Sequence, residues 1–401
     1  MKIKEINKMV QSPQRLACLI LSAIFFQFIL SASIQFTFGE QVSQNYSQLT
    51  LLKSNESLRS LDWVDEAGAH VPQAQDNLIL GADKWQKNST FHMVVIGDSI
   101  AWGAGLEQKE KYYYKVADWL QNKLMRPIEV TVLAHTGATL VKPQKIANTE
   151  RLFTNPDLSS WDPTISEQAG NIINPEKVDL ILLSEGINDI NVNTILNPLT
   201  DPAQIRSLCK GIEEPLQNLF VKLLGKCTNS KIIITSYYPI VSNNTSESEL
   251  NVFANEFQSL DSDSNEGKGF NLIKNMFGVK RTISMLSNNS NQFDNQSKLS
   301  MSSAIEQANQ YSVSHFGEKR VFFAPVNFPS KRSYGTNESW LWELTDPRTN
   351  NGKPTNDHKY AYRVSLCEKT FCDWKEKVNA IGHPNVEGAN EYNRTIINNI
   401  L

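Results

Sequence analysis

The chain has 401 residues, 40% hydrophobic and 20% charged, and 39 Lys and Arg against 42 Asp and Glu leave a net charge of −3. That is enough apolar mass for a sizeable core, which excludes a wholly disordered or fibrous chain. The near-balanced charge offers no electrostatic footprint for nucleic acid, and five cysteines without a Cys-x-x-Cys spacing offer no structural zinc pattern.

In chain order, Lys2, Lys4, Lys8 and Arg15 precede an apolar run from Leu16 to Leu30, and small residues follow at Ser31, Ala32 and Ser33. A basic start, a greasy centre and a small-residue exit are the features of a secretory signal, here residues 1–33 with cleavage after Ser33. The expected destination is outside the cell, or the periplasm and cell envelope. Left uncleaved, the run would act as a membrane anchor. Losing Cys18 with the signal leaves Cys209, Cys227, Cys367 and Cys372, an even number in an oxidising compartment, so the simplest pairing joins Cys209 to Cys227 and Cys367 to Cys372.

Residues 34–90 are polar and rich in Ser, Gln and Asn, and read as a surface extension. Five β-rich apolar runs follow: Phe91–Ile96, Ile128–Leu133, Val178–Leu183, Lys231–Tyr237 and Arg320–Phe323. They are nearly continuous rather than alternating, as strands covered on both faces are. Between them, Tyr112, Val116, Trp119, Leu120 and Leu124 fall on one helical stripe; Ile205, Leu208, Ile212, Leu216, Phe220 and Leu223 fall on another, which Pro215 should kink or split. A last stripe through Tyr392, Ile396 and Ile400 follows Pro384, a residue suited to a helix's first turn. Strand–helix alternation predicts an α/β sandwich of three layers over residues 91–401, with a five-stranded parallel sheet and its site at the carboxyl ends of the strands.

One stretch breaks the rhythm. Residues 241–299 are rich in Asn, Ser and Asp, a loop-like composition. Leu250, Phe253, Phe257 and Leu260 share a helical face, as do Phe270, Ile273, Met276 and Phe277. The expectation is an insertion with short amphipathic helices, either a lid or a surface decoration.

Chemistry-bearing residues stand at the strand ends. Gly97-Asp98-Ser99 ends the first run and lifts a serine to the top of the sheet, beside the start of the next helix. Gly137 follows the second run and offers an amide that nothing shields. Asn188 follows the third with a side-chain amide, and His383 opens the last helix. Each is weak alone; in order they supply a nucleophile, oxyanion donors and a base.

These residues resemble the SGNH, or GDSL-type, esterase and lipase family, in which Ser, Gly, Asn and His stand in four motif blocks. Ser99, Gly137, Asn188 and His383 match the blocks in order, Ile381-Gly382-His383-Pro384-Asn385 looks like the last block, and Tyr237-Tyr238-Pro239 is similar to many members. The resemblance implies a flavodoxin-like fold and hydrolysis of carboxylic esters, small-molecule or lipid, without metal or organic cofactor. It implies Ser99 and His383 as the catalytic pair and the Ser99 amide, Gly137 amide and Asn188 side chain as the oxyanion hole. Removal of acetyl groups from polysaccharide, acyl transfer to a sugar, and an inactive surface binder are the alternatives. One position departs from the family: the Asp expected three residues before the histidine is Ala380. The resemblance then implies that the Ala380 carbonyl orients the imidazole, with Glu387 as the nearest competing carboxylate. Asp98 and Asp189 are expected to support the strand ends, and His135 and the pair Trp340 and Trp342 to be structural.

Overall fold

The computed structural model describes residues 76–80, 90–142, 155–252, 275–344, 357–370, 372 and 374–400. The signal and most of the extension lie outside these residues, as do Phe253, Phe257, Leu260, Phe270 and Ile273 of the expected insertion. The chain divides into Met1–His70 and Val71–Leu401, and every described residue belongs to the second unit.

Six strands form one sheet: β1 (Asp76–Leu80), β2 (Phe91–Gly97), β3 (Ile128–Val132), β4 (Val178–Ser184), β5 (Lys231–Thr235) and β6 (Val321–Ala324), in the order β1-β3-β2-β4-β5-β6. β2 to β6 run parallel, in the spatial order of flavodoxin-like sheets. The sheet therefore has one strand more than expected. β1 pairs antiparallel with β3, Leu78 opposite Val130, and comes from the stretch read as a surface extension. As an edge strand it buries only part of itself, so its sequence lacks the continuous apolar run that marks the inner strands.

The helices are α1 (Ser99–Trp102), α2 (Tyr112–Leu124), α3 (Ile165–Gly170), α4 (Ile187–Ile190), α5 (Val192–Ile195), α6 (Pro202–Gly211), α7 (Glu213–Lys226), α8 (Val279–Phe316), α9 (Tyr360–Thr370), α10 (Trp374–Lys377) and α11 (Val386–Ile400). They form two packed groups, α2 with α11 and α6 and α7 with α8. Fully buried Val95, Ile96, Leu182, Leu183 and Ile234 form the sheet's centre. The break between α6 and α7 falls at Ile212, and Pro215 sits in the first turn of α7, where a missing N–H costs no intrahelical bond. α11 begins at Val386 rather than at Pro384 because the Asn385 side chain caps it, accepting from the amides of Glu387 and Gly388 at 3.0 and 3.2 Å.

Two expectations are corrected here. Residues 279–299 are not loop or short helices but the first half of α8, a continuous helix of 38 residues that spans about 57 Å. Its Ser and Asn residues made it read as loop, yet Ser287, Asn289, Ser290, Ser297 and Ser300 are buried. Small side chains let the helices approach closely, and the polar atoms are satisfied locally: Asn289 Nδ2 donates to the Asn197 carbonyl at 2.8 Å, and Ser290 Oγ accepts from the Val241 amide at 3.2 Å. This half of the insertion is part of the sandwich rather than a lid.

The second correction concerns the disulfides. Cys367 and Cys372 are bonded, whereas Cys209 and Cys227 are free and buried. The whole of α7 lies between the latter two; its 14 residues extend about 21 Å, and a disulfide tolerates only about 7 Å between Cα atoms. No helix among the described residues is long and apolar enough to cross a membrane.

Candidate active site

β2 delivers the serine through a turn that only glycine can make. Gly97 has φ +138°, and a Cβ there would stand 2.1 Å from the Ser184 carbonyl oxygen. Gln168 of α3 brackets it, accepting from its amide at 2.7 Å and donating to its carbonyl at 3.0 Å. Asp98 then caps α1, Oδ1 accepting from the Ile100 amide at 2.9 Å, and Ser99 is the first residue of that single helical turn. Its hydroxyl meets Nε2 of His383 at 2.6 Å.

His383 is held from two sides. The strand-like segment Leu341-Trp342 flanks its loop: the Gly382 amide donates to the Trp342 carbonyl at 2.9 Å, and the Trp342 amide to the His383 carbonyl at 2.8 Å. The Tyr238 hydroxyl donates to the Gly382 carbonyl at 2.8 Å. Burial pushes the imidazole down to about 4; the Ala380 carbonyl pulls the other way, ahead of the further lowering by the nearby Arg363 guanidinium and the smaller pull of the Ile381 carbonyl. A neutral ring is what a proton acceptor needs at pH 7.

The Ala380 carbonyl accepts the backbone amide of His383 at 2.9 Å. It also faces the imidazole closely enough to favour the charged ring, although Nδ1 is buried and meets no acceptor in good hydrogen-bond geometry among the described residues. A carbonyl oxygen carries two lone pairs, so the turn leaves Ala380 one with which to orient the ring. Glu387 is exposed on α11, where Asn390 Nδ2 donates to it at 3.5 Å.

The other motif residues stand at adjacent strand ends. Gly137 has φ +85°, and a Cβ there would lie 2.5 Å from Ser159 Oγ and 2.8 Å from the Ser160 amide. Asn188 on α4 donates one N–H to the Ala138 carbonyl at 2.9 Å, which ties α4 to the Gly137 turn and leaves its second N–H for another acceptor. Asp189 reinforces the tie, both carboxylate oxygens accepting from the Leu140 amide at 3.0 Å. His135 is buried, with Nδ1 2.9 Å from the Thr136 carbonyl. Trp342 is buried against His358, and Trp340 packs edge-on to Phe328 at 5.2 Å.

Behind the serine lies a group of carboxyls that sequence reasoning did not assemble. Burial raises Asp98 to about 8 and Asp189 to about 6, and Glu185, wholly buried with neither oxygen hydrogen-bonded, is raised well above the usual carboxylate range. The Tyr237 hydroxyl donates to Oδ2 of Asp98. Tyr-Tyr-Pro was visible as a motif fragment, but its reach toward both the Ser99 and the His383 segments was not.

No protein-family model and no curated protein matches the chain. Among solved structures, it is similar to a phospholipase A1 from Streptomyces albidoflavus, at 12% identity over 77% of this chain and 99% of the other, TM-score 0.40. It is similar to an extracellular lipase from Streptomyces rimosus at 11% identity, over 77% and 99% of the two chains, TM-score 0.42. An acetyl xylan esterase from the rumen bacterium Butyrivibrio proteoclasticus is 11% identical over 77% of this chain and 62% of that one, TM-score 0.33. At these scores the likenesses carry no functional argument.

Proposed function

We propose that the protein is an exported serine hydrolase of carboxylic esters that works through an acyl-enzyme on Ser99. The observation that carries this is the 2.6 Å contact between Ser99 Oγ and His383 Nε2, a separation at which a neutral imidazole takes the hydroxyl proton as the oxygen attacks.

His383 accepts the Ser99 proton as Oγ bonds to the ester carbon. The carbonyl oxygen becomes an oxyanion held by the amides of Ser99 and Gly137 and the second N–H of Asn188. The imidazolium then gives its proton to the departing alcohol. Water, deprotonated by the same ring, attacks the acyl-enzyme and releases the acid. No carboxylate stands against Nδ1 among the described residues, so the transient imidazolium lacks an anionic partner and the pair acts as a dyad. A lipid or simple ester is the substrate favoured. Deacetylation of polysaccharide is the enzymatic alternative.

A fluorophosphonate probe should label the protein but not Ser99→Ala. An unlabelled wild type returns the fold to the inactive-binder alternative. Hydrolysis of p-nitrophenyl esters of short and long chains, beside acetate release from acetylated xylan, assigns the substrate class.

A further inference from the structure

Tyr237 and Tyr238 stand just past β5, after Ser236, and their hydroxyls diverge. That of Tyr237 donates to Oδ2 of Asp98, the residue immediately before Ser99. That of Tyr238 donates to the Gly382 carbonyl at 2.8 Å, the residue immediately before His383. Both tyrosines are buried. Their rings are fixed by packing, Tyr237 against Phe293 of α8 at 5.6 Å between centroids and Tyr238 stacked on Phe328 at 4.7 Å.

The groups they hold are those that set the two catalytic segments. The Asp98 carboxyl that accepts from Tyr237 also caps α1 through its other oxygen, so it fixes the start of the helical turn that Ser99 opens. Gly382 sits at φ +78° with its amide already given to Trp342. Its carbonyl is fixed by Tyr238, one peptide away from His383. The loop just past a parallel strand thus carries two consecutive side chains, each of which grips one half of the dyad.

Resting on the Ser99–His383 reading, we infer that Tyr237 and Tyr238 are positioning residues that jointly set the distance between nucleophile and base. Misplacement by about 1 Å is enough to cost roughly 100-fold in rate, and a dyad without an acid on Nδ1 has fewer other contacts to hold its ring. A hydroxyl that merely satisfies a buried polar group would affect stability alone.

The test uses Tyr237→Phe, Tyr238→Phe and the double variant in the full chain, since phenylalanine keeps each ring and removes only the oxygen. Turnover of p-nitrophenyl butyrate, the rate of fluorophosphonate labelling, and Tm are measured at a temperature where circular dichroism shows all variants folded. The expected result is a 10- to 100-fold fall in kcat and in labelling rate for each variant, with KM within about twofold. The double variant should lose less than the product of the two falls, because both hydroxyls serve one separation. Folded variants that lose Tm but keep kcat within twofold overturn the inference while leaving the Ser99 reading intact. A wild type that neither labels nor turns over overturns that reading and this inference together. If Tyr237→Phe, beside a buried carboxyl, does not fold, Tyr238→Phe decides alone.

Discussion

Ser99 Oγ and His383 Nε2 stand 2.6 Å apart although 284 positions separate them in the chain. One comes from the turn after β2 and the other from the loop before α11, and among the described residues neither has another hydrogen-bond partner at comparable geometry. If they act as one unit, their substitutions cannot add. Ser99→Ala and His383→Ala should each reduce kcat on p-nitrophenyl butyrate by at least about 10⁴-fold, and the double variant should be no slower than the worse single. Multiplicative losses would show that the two contribute separately.

The acidic limb of the rate profile reports the imidazole. Burial holds His383 at about 4 instead of its ordinary 6.5, and only the neutral ring accepts the serine proton. kcat/KM should therefore rise with pH through a limb near 4 and be flat through neutrality. Toward pH 8 Asp98 ionises beside the nucleophile and opposes the negative charge developing on the substrate, so the rate should fall again. Asp98→Asn should lack that alkaline limb. An acidic limb at or above 6.5 would mean that a carboxylate reaches Nδ1 in solution.

Much of this was legible in the chain itself, for reasons that differ from element to element. The inner strands were readable because burial on both faces demands unbroken apolar runs such as Val178–Leu183, which leave no competing period. β1 escaped because an edge strand needs no such run. The first half of α8 escaped because its packed face uses Ser and Asn, residues that in isolation favour turns; tertiary contact with α6 and α7 overrides that preference. At the site, Ser99 and His383 were legible as motif residues. The geometry between the Ala380 carbonyl and Nδ1 was not, because it depends on how a main-chain turn aims one carbonyl at the ring, which no side chain records. The Cys209–Cys227 expectation failed on a similar point: parity says nothing about a helix lying between two thiols.

The proposed oxyanion donors make a split prediction. Asn188→Ala removes the free N–H but leaves the fold, apart from one bond to the Ala138 carbonyl. A fall in kcat of about 100- to 1,000-fold is expected, with KM little changed. Gly137→Ala should instead destabilise the protein, since its Cβ would meet Ser159 and Ser160 at a positive φ. Equal Tm values for Gly137→Ala and wild type would show that the turn differs in solution.

The thiols can be counted. Cys209 and Cys227 are buried and free, and burial pushes the Cys209 thiol up to about 12 and Cys227 up to about 11, so neither should react while folded. Maleimide added without reductant should modify both only after denaturation, and mass mapping should find Cys367 and Cys372 unmodified. Protection of Cys209 and Cys227 in the denatured, unreduced chain would establish a bond between them after all.

Glu185 should make the fold less stable as pH rises. Desolvation, then the charges of Asp189 and Asp98, raise its carboxyl well above 4.5 in the folded protein. Below about pH 4 the folded and unfolded chains both hold the proton, and Glu185 contributes no pH dependence. As pH rises, the unfolded chain releases the proton first. Folding must then take it back or bury a charge, and stability declines up to the folded-state value. Glutamine does not titrate, and because neither oxygen of Glu185 has a partner, Glu185→Gln gives up no hydrogen bond. The variant's Tm should match wild type near pH 4 and exceed it increasingly toward pH 8, by about 2–4 °C for each kcal/mol recovered. A Tm difference that stays constant from pH 4 to 8 would mean that this carboxyl titrates alike in the folded and unfolded chains and that burial does not raise it.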